Sequence, residues 1–293
     1  KYMEKVPNII LTGSTGWFGQ SFIYAFVKKF GLVNIKNLYL ISSDGRNFYH
    51  QILKENFQTF KIEKVKIENK IDLFVQAAFL TRDKIEKFGQ QKFIEVNQQI
   101  IESSNLLAEK CSPAKRILIS SGAVLDKNDI YGVMKLKEED SIKVSSSNSN
   151  IIFRVYAALG INTPYNSWSA ISDLILSANR SDNIKIRSKN NVVRGFVSFE
   201  KLSELILEIS KSNEKKRFQI IDAIEHVNSL KEIASVISMI KGIKVDDKID
   251  FSEIPNIYTS DPRNFLNMLD KFNLKRSSIE SEIEKTLQSP HLH

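Results

Sequence analysis

The stretch Asn8-Ile9-Ile10-Leu11-Thr12-Gly13-Ser14-Thr15-Gly16-Trp17-Phe18-Gly19 carries an apolar β-type run straight into a glycine-rich turn, and a helical pattern follows from Gln20 to Phe30. Strand, turn and helix in this order make a cradle for a pyrophosphate. Glycines let the chain turn tightly and let backbone N–H groups approach the phosphates. The helix N-terminus adds donors and a partial positive charge. A glycine-rich turn alone is more often just a turn. Here the apolar strand before it and the amphipathic helix after it give the context that a dinucleotide site requires. Gly13, Gly16 and Gly19 would shape the turn, with Ser14, Thr15, Trp17 and Phe18 beside the phosphates. The spacing is GxxGxxG, not the GxGxxG of the larger dehydrogenases.

The whole chain bounds the reading. Its 293 residues are 42% hydrophobic and 26% charged, an ordinary globular composition with enough length for a sizeable core. No apolar run approaches the roughly 20 residues that span a bilayer, and Lys1 to Pro7 lack the apolar core of a signal peptide. No membrane association is expected. One cysteine, Cys111, leaves no intramolecular disulfide, and a cytoplasmic location is expected. Cys111 has no local base and reads as packing. The net charge of +8 is spread along the chain, densest at Lys28-Lys29 and Lys215-Lys216-Arg217. No basic stripe with interleaved aromatics suggests nucleic acid. A mildly positive surface suits anionic small molecules, and no metal is expected.

Strand-like and helical runs alternate through the first half. Strands are expected at Leu38–Ile41, Phe60–Ile67, Ile71–Ala78, Arg116–Ser121 and Ile151–Tyr156. Helices are expected at Phe48–Phe57, Phe93–Lys110 and Ile130–Val144. Continuous apolar strands separated by helices imply an α/β fold, a Rossmann-type doubly wound parallel sheet covered on both faces. After Ala158 the rhythm breaks. Short strands are expected at 184–186, 192–199 and 218–222, and helices at 230–240, 262–272 and 278–287. The organisation expected is a dinucleotide-binding domain over 1–160, with return segments near 190–224. A smaller, discontinuous substrate-binding region covers 161–189 and 225–289.

Tyr131 and Lys135 form a YxxxK pair in a helical segment, one turn apart on one face. A nearby ammonium favours the tyrosinate, which makes tyrosine usable as a general acid/base near neutral pH. By itself YxxxK is common and fits a surface helix as well. Ser120-Ser121 closes a predicted parallel strand, at the edge where ligands bind in open α/β sheets. A hydroxyl there can hold a carbonyl or alcohol oxygen, although Ser-Ser after a strand is also ordinary turn chemistry.

In this order, these motifs resemble the extended short-chain dehydrogenase/reductases, the nucleotide-sugar epimerase/dehydratase group, over nearly the whole chain. Thr12–Gly19 is similar to the TGxxGxxG turn, and Val75-Gln76-Ala77-Ala78 to a strand that usually ends HLAA. Glu95-Val96-Asn97 to Leu107 resembles the NVxGTxNLL helix, and Ile119 to Val124 the SSxxVYG strand end. Arg154 to Gly160 resembles RxxNVYGP, Arg194 to Glu200 resembles RDFVHVDD, and Ser229 to Ala234 resembles the helix that opens SILELA. The resemblance implies Tyr131 as catalytic acid/base, with Lys135 lowering its pKa and holding the nicotinamide ribose. It implies Ser121 as the residue that aligns the substrate oxygen, with Ser120 the alternative. Ala77, Ala78, Thr81, Asn97, Ser120, Tyr156 and Ala158 would join Tyr131 and Lys135 along the cofactor. Phe79, Arg82, Trp168 and Arg194 would line the substrate cleft. The chain departs from the pattern at Gln76, Ala157 and Leu125, where histidine, asparagine and tyrosine are frequent. It lacks the Thr-Asp-Glu set with which dehydratases eliminate water, so 4,6-dehydration is not expected.

Cofactor choice falls on the end of the second strand, where an acidic residue binds the ribose hydroxyls of NAD. The positions read Ser42-Ser43-Asp44-Gly45-Arg46. Ser42, Ser43 and Arg46 suit a 2′-phosphate, whereas Asp44 serves NAD if the turn is shifted. The reading leans narrowly to NADP over NAD. The function expected is an oxidoreductase acting on a nucleotide-linked sugar, a 4-keto-sugar reductase ahead of an epimerase that retains NAD. The competing class is a non-catalytic dinucleotide-binding module. The resemblance also implies a homodimer.

Overall fold

The computed structural model describes residues 5–143, 149–164, 169–180, 183–213 and 218–291. Along the chain the elements are β1 (Ile9–Thr12), α1 (Trp17–Phe30), a 3-10 turn (Leu32–Asn37), β2 (Leu38–Ile41), β3 (Phe48–His50), β4 (Glu55–Phe57), β5 (Leu73–Gln76), α2 (Asp83–Phe88) and α3 (Gln90–Cys111). Next come β6 (Lys115–Ser121), a 3-10 turn (Gly122–Leu125), α4 (Ile130–Lys143), β7 (Asn150–Val155), β8 (Ala157–Leu159), α5 (Ala170–Arg180), β9 (Asn183–Ile186), β10 (Val192–Ser198) and α6 (Phe199–Lys211). The chain closes with β11 (Phe218–Ala223), β12 (His226–Ser229), α7 (Leu230–Lys241), β13 (Lys244–Asp247), β14 (Asn256–Tyr258), α8 (Arg263–Lys271) and α9 (Ile279–Leu287).

The chain divides into two compact units, residues 1–154 with 203–221, and residues 155–202 with 222–293. The first is built on a six-stranded parallel sheet in the order β11-β7-β6-β5-β1-β2. Chain order reverses beside β1, so the C-terminal ends of β1 and β5 flank a topological switch point. Every residue of β1 and β5 is buried, as expected for strands covered on both faces. Ile10, Ile41, Ile71, Phe74 and Leu107 pack on one another, and each such side chain taken out of water contributes about 1.5–3 kcal/mol.

Three expectations change here. Phe48–Phe57, read as helical, is the antiparallel hairpin β3–β4. Lys54 turns it with a positive φ of 57°, and the His50 ring accepts the Leu53 N–H inside the turn. Only Phe60 of the expected strand 60–67 bridges β2; the chain turns at once, with Lys64 N–H bonded to Lys61 O. The return to the large sheet consists of the end of α6 and the start of β11. Residues 190–202, expected in that return, belong to the second unit, where β10 is the hub of a sheet with β12, β14 and β8.

In the second unit Leu159, Ile171, Ile175, Phe196, Ile233, Ile237 and Ile283 make the core. Helix α7 starts with a capping box, Ser229 and Glu232 each bonding the other's backbone N–H. Helices α5 and α6 come in addition to the elements expected from sequence. Among the described residues no helix is long and apolar enough to cross a membrane.

Candidate active site

The glycine turn after β1 has the close approaches its sequence implies. Gly13 has φ 71°, and a Cβ there would stand 2.7 Å from the Ala77 carbonyl oxygen. A Cβ on Gly19 would stand 2.3 Å from the Gly13 oxygen. Neither position accommodates a side chain. The turn is closed by Gly16 N–H to Gly13 O, 3.0 Å. It is tied to β2 by the Ser14 hydroxyl and N–H, both donating to Ile41 O. Helix α1 begins at Gly16 with no side-chain cap and no acidic residue in its first turn, which leaves its positive end electrostatically open to an anion. These features fit a pyrophosphate group.

From this turn a continuous run of contacts leads to the tyrosine. Thr12 Oγ1 accepts the N–H groups of Ala77 and Ala78 at 3.1 and 3.2 Å. The Phe79 ring next in line meets Tyr131 edge-on at 5.8 Å and lies 4.0 Å from Lys135 Nζ. Tyr131 and Lys135 sit on α4, whose start is pressed against the 3-10 turn after β6. A Cβ on Gly132 would fall 2.0 Å from Ala123 O. Ser121 opens that turn and accepts the Ala123 N–H at 3.2 Å. Asp129 accepts the N–H groups of Tyr131 and Gly132 at the head of α4 and pairs with Arg82. The Arg82 guanidinium stands 5.6 Å from the Tyr131 ring centre.

Ser120 is committed elsewhere. Its hydroxyl donates to Glu139 at 2.7 Å, and Glu139 receives a two-pronged contact from Arg154, at 2.9 and 2.6 Å. The fully buried Asn97 accepts the Leu80 N–H at 2.8 Å and so holds the segment after β5. Thr81 donates to Asp83 at the head of α2.

At the end of β2, Ser42 is buried and its hydroxyl serves the turn, bonding Thr59 at 2.6 Å, Asp44 at 3.2 Å and the Gly45 N–H at 3.0 Å. Asp44 stands exposed beside Arg46, 3.7 Å from its Nε. The Arg46 N–H holds the Asp44 carboxyl below the usual range, with smaller help from Ser42.

Tyr156, Ala158 and Arg194 belong to the second unit. Tyr156 donates to Asp222 at 3.2 Å, and burial, then the Asp222 charge, pushes its phenol up to about 12. It therefore stays neutral at physiological pH. Tyr258 joins Tyr156 to Arg194, at 5.0 Å ring to ring and 5.8 Å to the guanidinium. Arg194 Nη1 is bonded to Val193 O, Asn256 O and Asn256 Oδ1. Trp168 lies outside the described residues. Cys111 is half-buried with its thiol on Ala108 O, and burial pushes that thiol up, consistent with packing. Among the described residues no group of three or more His, Cys, Asp or Glu could hold a metal ion.

Beneath α4 lies a buried polar chain that sequence reading missed. Lys135 Nζ donates to Ile119 O at 3.0 Å and to Glu138 Oε2 at 2.9 Å. Glu138 Oε1 accepts from Gln76 at 2.7 Å. Gln76 Oε1 accepts from Arg116 at 2.5 Å, and Arg116 also donates to Asn105 at 2.6 Å. Burial pulls the Arg116 guanidinium down to about 10, against the opposing charge of Glu138. The available signals were Glu138 three residues after Lys135 and an arginine inside an apolar strand.

No protein-family model matches the sequence, and no curated protein matches it. Solved structures match in fold. A UDP-glucuronic acid 4-epimerase from Bacillus cereus, in complex with UDP-glucuronic acid and NAD, aligns with TM-score 0.72 and 16% identity, over 97% of this chain and 98% of its own. TunA, an NAD-dependent NDP-hexosamine 5,6-dehydratase of tunicamycin biosynthesis, aligns with TM-score 0.72 and 13% identity, over 96% of each chain. The ADP-L-glycero-D-manno-heptose-6-epimerase of Helicobacter pylori gives 0.70 and 17%, over 100% of this chain and 99% of its own. At these identities the likeness establishes the fold, a Rossmann-type α/β architecture over nearly the whole chain.

Proposed function

We propose that this protein is an NAD-dependent oxidoreductase of the extended short-chain dehydrogenase/reductase kind, acting on a nucleotide-linked sugar. The observation that carries the reading is the unbroken path from the glycine turn through Ala77, Ala78 and Phe79 to Tyr131 and Lys135. It supports reading the glycine turn as a phosphate cradle and α4 as an acid/base helix, joined by one run of contacts. A bound nicotinamide supplies hydride transfer at a sugar carbon. Tyr131 takes or gives the hydroxyl proton there, Ser121 orients the sugar oxygen, and Lys135 contributes positive charge. The substrate class rests on the resemblance in sequence, together with nucleotide-sugar enzymes among proteins of the same fold.

Asp44 supports NAD over the NADP first favoured. Its carboxylate is held at the end of β2 by the Arg46 N–H and the Ser42 hydroxyl, partly offsets Arg46, and would repel a 2′-phosphate. The preference for a 4-keto-sugar reductase drew on NADP. With Asp44 in this place an epimerase that keeps its dinucleotide is the better supported outcome. A homodimer remains part of the reading: α3 packs on α4 and leaves Leu106 67% exposed.

The test is product analysis by mass spectrometry and NMR, with UDP-, ADP- and dTDP-sugars incubated with NAD, NADH or NADPH. Tyr131→Phe should lower turnover by about 10²–10⁴-fold while NAD still raises the melting temperature. Unchanged turnover in that variant would remove the catalytic reading and leave the binding-module class.

A further inference from the structure

The hairpin β3–β4 stands where the chain leaves and re-enters the turn after β2. It opens at Phe48, just past Arg46, and closes at Phe57, just before Thr59. The neck is fastened by the Thr59 hydroxyl, which donates to Arg46 O at 2.7 Å and bonds the Ser42 hydroxyl at 2.6 Å. The hairpin therefore grows out of the segment read as the adenosine end of a cofactor site. A short two-stranded hairpin is marginal by itself, so this one needs an anchor.

The anchor is His50, which is fully buried. Its Nε2 lies 2.9 Å from Gln20 O. A carbonyl only accepts, so Nε2 carries the proton. Nδ1, unprotonated, accepts the Leu53 N–H at 3.3 Å inside the hairpin's own turn. The Phe57 ring meets the imidazole edge-on, centres 6.0 Å apart. Gln20 belongs to the first turn of α1. Its N–H donates to Gly16 O at 2.9 Å, and its side-chain amide donates to Thr15 O at 3.0 Å. A run of bonds thus leads from the glycine turn through Gln20 and His50 into the hairpin, and the neck carries it on to Ser42 and Arg46. Ser14 already ties the two turns at their root, on Ile41 O. The hairpin ties them a second time, at Arg46 and Thr59.

We propose that the β3–β4 hairpin is a strut that sets the adenosine turn against the phosphate turn, and that His50 is its positioning residue for dinucleotide binding. This rests on both turns serving one dinucleotide, as proposed above. For a ligand held at two points, affinity depends on how well their separation is fixed beforehand. A ligand held at one point is indifferent to it.

The experiment compares a two-point with a one-point ligand: NAD by calorimetry, and adenosine by saturation-transfer NMR. In His50→Asn the amide oxygen stands in for Nδ1 and keeps the Leu53 bond, but the side chain is too short to reach Gln20. The NAD dissociation constant should rise by about tenfold, while that of adenosine stays within about twofold. In His50→Gln the amide nitrogen stands in for Nε2, and NAD affinity should return to within about threefold of the unaltered protein. The proposal is overturned if H50N binds NAD as the unaltered protein does, if adenosine loses as much as NAD, if H50Q is no better than H50N, or if the unaltered protein gives no adenosine signal. Should H50N not fold, Gln20→Ala decides. It cuts only the bond to Thr15, and should weaken NAD by about threefold and leave adenosine unchanged; no loss overturns the proposal. The two readings fail separately. NAD bound through the strut without turnover on any sugar nucleotide refutes the oxidoreductase alone, and turnover with H50N binding NAD normally refutes the strut alone.

Discussion

Single atoms set the site. Gly132 is the sharpest case, because a methyl group there would collide with Ala123 O. Gly132→Ala should destabilise the protein by about 2 kcal/mol or more, as overpacking does. It should also move Tyr131 away from Ser121, so that turnover falls even below the melting transition; chemical denaturation and an activity assay check both. Gly19→Ala should act on the other function. Its Cβ would meet the Gly13 oxygen at 2.3 Å, so NAD should cease to raise the melting temperature. The glycine turn was legible because its spacing states a backbone requirement that the close approaches meet; Ser121, Tyr131 and Lys135 could be named as candidates because an acid/base helix needs them at fixed spacing. Glu138 and Gln76 were not. Their meaning depends on β5 lying beside β6 and on Gln76 meeting Glu138, 62 residues away in sequence.

Elements meet at buried charges. Arg154 on β7, Glu139 on α4 and Ser120 on β6 lock three elements together. Glu139 is fully buried, so Arg154→Met leaves its charge against a lone serine. Breaking such a pair from one side costs about 3–5 kcal/mol, and urea unfolding should show it. The same scale explains what sequence reading misjudged. Phe48–Phe57 has helical spacing, but Phe48 and Phe57 face each other across a hairpin, ring centres 5.9 Å apart, and the antiparallel ladder outweighs the local pattern. Helix α6 opens at Phe199, the last residue of the run that reads as a strand in sequence, so its start carries no separate signal. The regular βα alternation of the first half was legible because both faces of the sheet are covered, which makes the strands continuous apolar runs.

At the scale of the molecule, pH and ligand should set stability. His226 is partly buried, and that burial depresses its pKa against the pull of Glu225, Glu282 and Glu280. The unfolded chain then binds the proton more readily than the fold. Stability should rise with pH until about 6.5, the unfolded histidine value, and fall as pH drops below it. His226→Gln should flatten that slope in melting curves between pH 5 and pH 7. NAD at 100 times its dissociation constant should add about 2.7 kcal/mol, and NADP should add less if Asp44 governs the choice. Equal stabilisation by both would transfer the decision away from Asp44.

The turn after β2 bonds to itself. Ser42, Asp44, Gly45, Arg46 and Thr59 satisfy one another, and among the described residues none of these groups bonds to α4 or its buried chain. If this turn holds the adenosine end of a dinucleotide, as proposed above, it is a module that can be rewritten alone. Exchanging Asp44 for a neutral residue should change which dinucleotide is accepted and leave the proton chemistry as it was. A lineage carrying this fold can move between cellular pools of reducing power without reinventing its catalyst.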